Sequence, residues 1–356
     1  MTISTRTIAG TGLFALDVVV RLDGSRASPT LGGSAGNVLS ILGALGWGAA
    51  PVGVLGDDPA GRVIRHDFEQ VGADMRLLRW SQERHTPVIY QQQLDRAADE
   101  CDSTHRFTFA CPECGERRRP QWKDDPDVSE VGDHLPKASV FYMDRPTRLG
   151  VALAEHYAAR GALVVFEPSA IGDDVDMFAN ALRTAHIVKY SDERLGELKA
   201  FDLRRDAIEI QTRGSHGLRF RSMSFGRNWS YLPAFPLPFL HDTAGAGDWC
   251  TAGMLHELFR VRDEAKNLMA ESVISRALAF GQVLSTLNCM TEGARGLLSA
   301  WSVERIVDTA RMMTSGTRAN ANDLVDRTFL DFARELGDPH MATTSGRNGL
   351  DCCSPP

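Results

Sequence analysis

The sequence predicts an α/β fold: a central, mostly parallel sheet with helices on both faces. Two observations carry that expectation. Strand and helix signals alternate along the chain, which is the pattern of a parallel sheet joined by crossover helices. Glycine-rich segments at 31–37 and 242–248 also stand directly before apolar helical runs. A helix entered from a flexible turn offers unpaired N–H groups to a ligand.

Taken in order, residues 14–20 read as a strand, 38–45 as a helix, and 51–55 as a short buried strand ending in the turn Gly56-Asp57-Asp58-Pro59-Ala60-Gly61. Residues 61–71 make a helix with Val63, Ile64 and Phe68 on one face. Residues 86–94 and 106–110 fit further strands. Core strands follow at 139–143, 163–166, 187–190 and 208–212, with helices at 150–160 and 174–184 between them. In open sheets of this kind ligands bind beyond the carboxyl ends of the strands. Asp144, Glu167, Lys189 and Thr212 fall at such ends. Trp249, Ala252, Leu255, Leu258 and Phe259 recur at helical spacing. Residues 302–313 and 322–336 read as surface helices, and 337–356 lacks periodicity and is expected to be disordered.

Composition narrows the function classes. A chain of 356 residues accommodates one large α/β domain with a small added element. Hydrophobic residues at 43% match a soluble globular protein. A net charge of −7 provides no bulk basic field for nucleic acid or membrane binding. No apolar run is long enough to span a bilayer. The opening ten residues lack the form of a signal peptide, so a cytoplasmic location is expected. The seven cysteines are then expected to be reduced unless they hold metal.

The chemistry concentrates in Asp242-Thr243-Ala244-Gly245-Ala246-Gly247-Asp248. Gly245 and Gly247 permit a tight turn, and the helix behind them has a positive N-terminal end that binds anions. Asp248 is expected to stay ionised in that field and to accept a proton from a hydroxyl. A phosphate cradle beside a carboxylate base is what hydroxyl phosphorylation requires. Alone, a Gly-x-Gly turn with a dipole-complementing acid would be unremarked. Here a second pattern precedes it, Leu31-Gly32-Gly33-Ser34-Ala35-Gly36-Asn37, in which Asn37 offers both a donor and an acceptor.

With these segments in this order, the chain resembles the ribokinase-like (PfkB) sugar kinase family over roughly residues 8–298. The resemblance implies a three-layer α/β/α kinase domain over 1–300, with a small β lid drawn from 12–35 and 85–125, and a helical extension over 301–336. It implies ATP-dependent phosphorylation of a sugar-like hydroxyl, with Asp248 as base and Gly245, Ala246 and Gly247 as the anion hole. Asp17, Gly33 and Asn37 resemble the sugar contacts. Thr212, Gly214 and Gly217 resemble the nucleotide loop, and Asn288 belongs to the part that packs against adenine. Asp242 and the Ala244 carbonyl match a monovalent-cation site, for K+ in many relatives. Mg2+ would accompany ATP, with Glu167 holding it through water. The lid often pairs two subunits, so a homodimer is expected. A nucleoside kinase of the same fold and a catalytically idle sugar-binding regulator are the alternatives.

Two departures stand out. The family often carries Asn-x-x-Glu after a middle strand; here Ser191 and Arg194 occupy those places. Within 101–123, Cys111-Pro112-Glu113-Cys114-Gly115 has a zinc-knuckle shape. Cys101 and His105 can complete a four-ligand Zn2+ site locally, a second copy can supply the other pair, or the thiols are simply reduced in a tight turn.

Overall fold

The computed structural model describes residues 6–94, 105–122, 128–196, 198–261 and 270–315. The chain starts with β1 (Thr7–Thr11) in the large sheet, then crosses to a smaller sheet for β2 (Ala15–Val20) and β3 (Thr30–Gly32). Helix α1 (Ser34–Ala44) leads back to β4 (Gly48–Pro51) at the edge of the large sheet. β5 (Gly53–Gly56), α2 (Pro59–Gln70) and β6 (Leu78–Ser81) form a small parallel unit. β7 (Val88–Gln93) and β8 (His105–Thr108) complete the smaller sheet. After the short α3 (Val128–Val131), the large sheet continues through β9 (Val140–Met143), α4 (Arg148–Ala158), β10 (Leu163–Phe166), α5 (Val175–Thr184) and β11 (Ile187–Ser191). The one-turn α6 (Asp192–Leu195) precedes β12 (Ile208–Thr212), β13 (Leu218–Ser222) and β14 (Gly226–Leu232). Four helices close the described chain: α7 (Ala246–Val261), α8 (Glu271–Asn288), α9 (Gly296–Ala300) and α10 (Val303–Ser315).

The large sheet has eight strands in the order β14-β13-β12-β11-β10-β9-β1-β4. Pairings from β4 to β12 are parallel, and β13 and β14 add an antiparallel edge. Alternate residues serve opposite faces, as the pleat requires. Tyr142 and Val165 pack with Leu42, Leu255, Leu284 and Ile306 from α1, α7, α8 and α10. Phe141 and Phe166 pack with Leu153 and Phe178 from α4 and α5. The result is the expected three-layer α/β/α architecture. Helices α7 and α8 cross at two glycines: a Cβ on Gly281 would lie 2.3 Å from the Cys250 carbonyl oxygen, and one on Gly253 would lie 2.8 Å from Gly281 Cα.

The smaller sheet, in the order β3-β2-β7-β8, is built from the segments expected to form the lid. The strand at 14–20 is β2 of this sheet, within the span expected for the lid. Three corrections remain. The large sheet begins earlier, with β1, which periodicity did not reveal. The strand expected at 51–55 is two strands in two sheets, because the chain turns out of the large sheet at Val52, whose N–H reaches Gly10 O at 2.8 Å. Helix α1 begins at Ser34, so Asn37 sits in its first turn rather than before it. The extension helix at 302–313 appears as α10, but it buries Ile306, Val307, Ala310 and Met313. The expected helix at 322–336 and the tail at 337–356 lie outside the described residues. No described helix is long and apolar enough to cross a membrane.

Candidate active site

The site is built where α7 starts. Gly245 has φ of +73°, and a Cβ there would lie 2.3 Å from the Ala294 carbonyl oxygen. Only glycine meets both conditions. The first helical bond at this end runs from Trp249 N–H to Gly245 O at 2.9 Å, and the Ala246 N–H turns back to Thr243 O at 3.2 Å. The amides that follow are those a helix start offers to an anion.

Asp248 lies in this first turn and is 8% exposed. Its Oδ2 accepts a hydrogen bond from Asn37 Nδ2 at 2.8 Å, which joins the two glycine segments across the fold. Burial pushes the Asp248 carboxyl well above its ordinary pKa, and the nearby Glu167 carboxylate adds to the rise. Asn37 and the Lys189 ammonium offset only part of it. Burial thus outweighs the helix dipole that was expected to keep this acid fully ionised.

Asp17 lies on β2, opposite Thr30 of β3. Its carboxylate rests on Gly32, where a Cβ would meet Asp17 Cγ at 1.9 Å. Gly33 has φ of +74° and packs against the Leu13 carbonyl. Burial raises the Asp17 carboxyl to about 7, against the pull of Arg295 and the Gly33 N–H. Asp17 Oδ1 and Asn37 Oδ1 are both buried acceptors without a hydrogen-bond partner among the described residues. Such atoms carry a desolvation cost that a ligand's hydroxyl donors would remove.

Side chains from the carboxyl ends of neighbouring strands brace the loop. Lys189 is 1% exposed; its Nζ pairs with Glu167 and donates to Gly247 O at 3.1 Å. Burial opposes its charge, but the Glu167 carboxylate prevails and holds its pKa above the ordinary value. Glu167 Oε2 also accepts from Thr251 Oγ1 at 2.6 Å and Tyr142 Oη at 3.3 Å. Asp144 Oδ1 accepts the Leu13 N–H at 2.8 Å and so anchors the strand-to-lid turn. The sequence placed Glu167 and Lys189 at strand ends, but not in contact with each other.

The nucleotide-loop residues follow β12. Thr212 ends that strand and donates to Tyr190 O at 3.4 Å. Gly214 opens a short 3-10 turn and Gly217 follows it. Glu193 Oε1 faces Gly214, within 3.9 Å of where its Cβ would be. Asp192 pairs with Arg213 at 3.5 Å. Asn288 is fully buried at the end of α8. Its Nδ2 donates to Ala244 O at 3.0 Å and Gly293 O at 3.4 Å, and its Oδ1 accepts the Leu297 N–H at 3.2 Å.

The sequence profile described as the pfkB family carbohydrate kinase matches residues 13–301, most of the chain and every segment of this site. The chain belongs to the PfkB family. An ATP-dependent ribose-1-phosphate kinase of Halopiger xanaduensis is 27% identical over 282 residues, covering 76% of this chain and 84% of that protein. A fructokinase of Klebsiella pneumoniae is 28% identical over 283 residues, covering 74% and 87%. Among solved structures, ribokinase from Giardia lamblia superimposes with a TM-score of 0.68 at 17% identity, covering 87% of this chain and 99% of that one. Fructokinase from Xylella fastidiosa with bound ATP gives 0.63 at 18%, covering 85% and 98%.

The residues expected at two ion sites of this PfkB kinase make other contacts among the described residues. Every acceptor position of Asp242 is taken by an N–H group. Gln91 Nε2 lies 2.5 Å and Gly293 N 2.9 Å from Oδ2; Ala244 N lies 2.9 Å and His105 Nδ1 3.1 Å from Oδ1. Burial works against the Asp242 charge, but the bonds from His105 and the two backbone N–H groups hold its pKa below the ordinary value. The Asp242 carboxylate is thus engaged by nitrogen donors on both oxygens. The same contact takes His105 away from zinc: it stands at the far end of β8 from Cys111, and the strand alone separates His105 from Thr108 by roughly 10 Å. Cys111 is buried and Cys114 exposed in the turn, and Arg26 Nη2 lies 4.0 Å from Cys111 Sγ. Cys101 lies outside the described residues. Among the described residues no group of three or more His, Cys, Asp or Glu could hold a metal ion.

Proposed function

We propose that this protein transfers the γ-phosphoryl group of ATP to a hydroxyl of a small sugar or riboside. One observation carries the reading: the Asn37–Asp248 hydrogen bond brings the proton acceptor to the place where Asp17 and Asn37 hold unpartnered buried oxygens. A substrate hydroxyl seated there meets a carboxyl whose proton affinity burial has raised, as a proton acceptor requires. Asp248 takes the proton as the oxygen attacks phosphorus, while the amides at the start of α7 stabilise charge on the moving group. Lys189 supports them by fixing Gly247 O and adding a buried positive charge. ATP lies along the carboxyl edge of the sheet, by Thr212, Gly214 and Gly217. Magnesium would neutralise its phosphates; Glu167 and Glu193 suit it through water, since this ion keeps most of its waters.

The substrate class follows the relatives, which include a fructokinase, a ribose-1-phosphate kinase and an aminoimidazole riboside kinase. A panel of hexoses, pentoses, ribose phosphates and ribosides, read as acceptor-dependent ADP formation, tests the proposal. Tight ATP binding with no acceptor-dependent ADP would favour an idle regulator instead. A second copy pairing through the lid would use edge strand β8, where Phe107 is 45% exposed. Light scattering on the eluting protein reports that state.

A further inference from the structure

The loop that opens the anion hole is held together by amide and ring nitrogens where a cation would be held by oxygens. A monovalent cation needs several oxygen lone pairs converging on one point. Here Ala244 O and Gly293 O do converge, but on the side-chain nitrogen of Asn288. That amide is fixed at its other end by the Leu297 N–H and is fully buried. The adjacent carboxylate of Asp242 offers about four lone-pair sites, and all four are met by N–H groups. Two of those donors, Gln91 and His105, come from lid strands β7 and β8. An ion entering this place would have to share Ala244 O and Gly293 O with the Asn288 amide and pull N–H donors, His105 among them, off Asp242, leaving buried N–H groups unpaired.

We propose that this kinase works without a monovalent cation, because Asn288 and His105 supply the ties that an ion would otherwise supply. Both are positioning residues. They act on ATP through the loop, by holding Ala244, Gly245 and Gly293 in register. The proposal rests on reading this loop as the phosphate site.

The test uses the full chain, freed of alkali ions and divided between potassium chloride and tetramethylammonium chloride at equal ionic strength. Three readouts are taken: melting temperature, ATP dissociation constant by calorimetry, and sugar-dependent ADP formation. Wild type should give the same melting temperature and ATP affinity in both salts. An effector that couples to a ligand typically changes its affinity by about 5–150-fold, so a potassium gain of about fivefold in wild-type ATP affinity would overturn the proposal. Asn288→Ala vacates both carbonyls, and its ATP affinity should become stronger in potassium than in tetramethylammonium. His105→Ala should gain a potassium-dependent rise in melting temperature, and it serves if the Asn288 variant does not fold. Folded variants as indifferent as wild type would refute the positioning role. Failure of the kinase reading would show separately, as no ADP formation in either salt, while melting and ATP titration still decide the cation question.

Discussion

Asp248 has one side-chain donor, Asn37, and almost no solvent, so its charge is costly until a substrate arrives. Asp248→Asn keeps the shape and removes the proton acceptor. Turnover should fall about 10²–10⁴-fold, with ATP affinity and melting little changed, since the amides at the start of α7 remain. Near-normal acceptor-dependent ADP formation by that variant would remove Asp248 as the base. Asp17 makes a prediction with two opposite signs. Its carboxyl goes from an ordinary 3.8 to about 7 on folding, so the folded state binds its proton more tightly than the unfolded state does. The stability this group contributes is complete below 3.8 and is lost as pH rises through about 7. Over the same interval the carboxylate becomes the better hydroxyl acceptor. Sugar affinity should therefore strengthen towards pH 8 while melting temperature declines, and Asp17→Asn should flatten both curves. Calorimetric titrations and melts on matched buffers follow the two together. Asn37 stood out in the sequence through its glycine-rich setting, and Asp17 only through the resemblance to the PfkB family. The Lys189–Glu167 pair did not, because the residues lie 22 positions apart and meet only through the parallel register that sets Phe166 beside Val188.

At the scale of elements, the crossing of α7 and α8 decides whether the anion-hole helix sits correctly on the sheet. Gly281→Ala would gain about 1 kcal/mol of helix propensity in open solvent. Here its Cβ would lie 2.3 Å from Cys250 O, and overpacking of that kind costs about 1–3 kcal/mol. Backbone against backbone leaves no flexible side chain to yield, so the clash should win and the melting temperature should drop. A melting temperature at or above wild type would contradict this account. Elements whose periodicity reflects burial were readable: α2, α4, α5 and strands β9 to β12 stand close to their expected positions. Periodicity alone did not tell which sheet a strand joins. β1 and β2 are separated by three residues, and nothing local tells Thr-Ile-Ala-Gly-Thr that it belongs to the large sheet and Ala-Leu-Asp-Val-Val-Val to the lid. That choice is made by long-range pairing, with β4 and β9 in one case and β7 in the other. The Cys111–Cys114 turn shows the same limit, since local spacing suggests ligands, while strand pairing decides where His105 goes.

At the scale of the molecule, the lid is fastened to the segment that follows α8. Arg21 of the lid meets Glu292 through two nitrogens, at 2.8 and 2.7 Å, and Gln93 Nε2 reaches the same carboxylate at 3.3 Å. Beside them, Gln91 and His105 grip Asp242. The cover of the proposed sugar site and the cradle of the proposed phosphate site thus share one set of fastenings. Whatever sugar binding does to settle the lid, it also does to the residues that receive ATP. By reciprocity, the factor by which sugar tightens ATP must equal the factor by which ATP tightens sugar. Calorimetry in both orders should return equal factors in wild type. Arg21→Ala, at a residue assigned to neither proposed ligand site, should bring both closer to one while leaving each ligand's affinity in isolation nearly intact. An unchanged coupling factor in that variant would mean that the fastening holds the lid without informing the cradle. Otherwise, each substrate makes the site ready for the other, and phosphoryl transfer to stray water is discouraged until both have arrived.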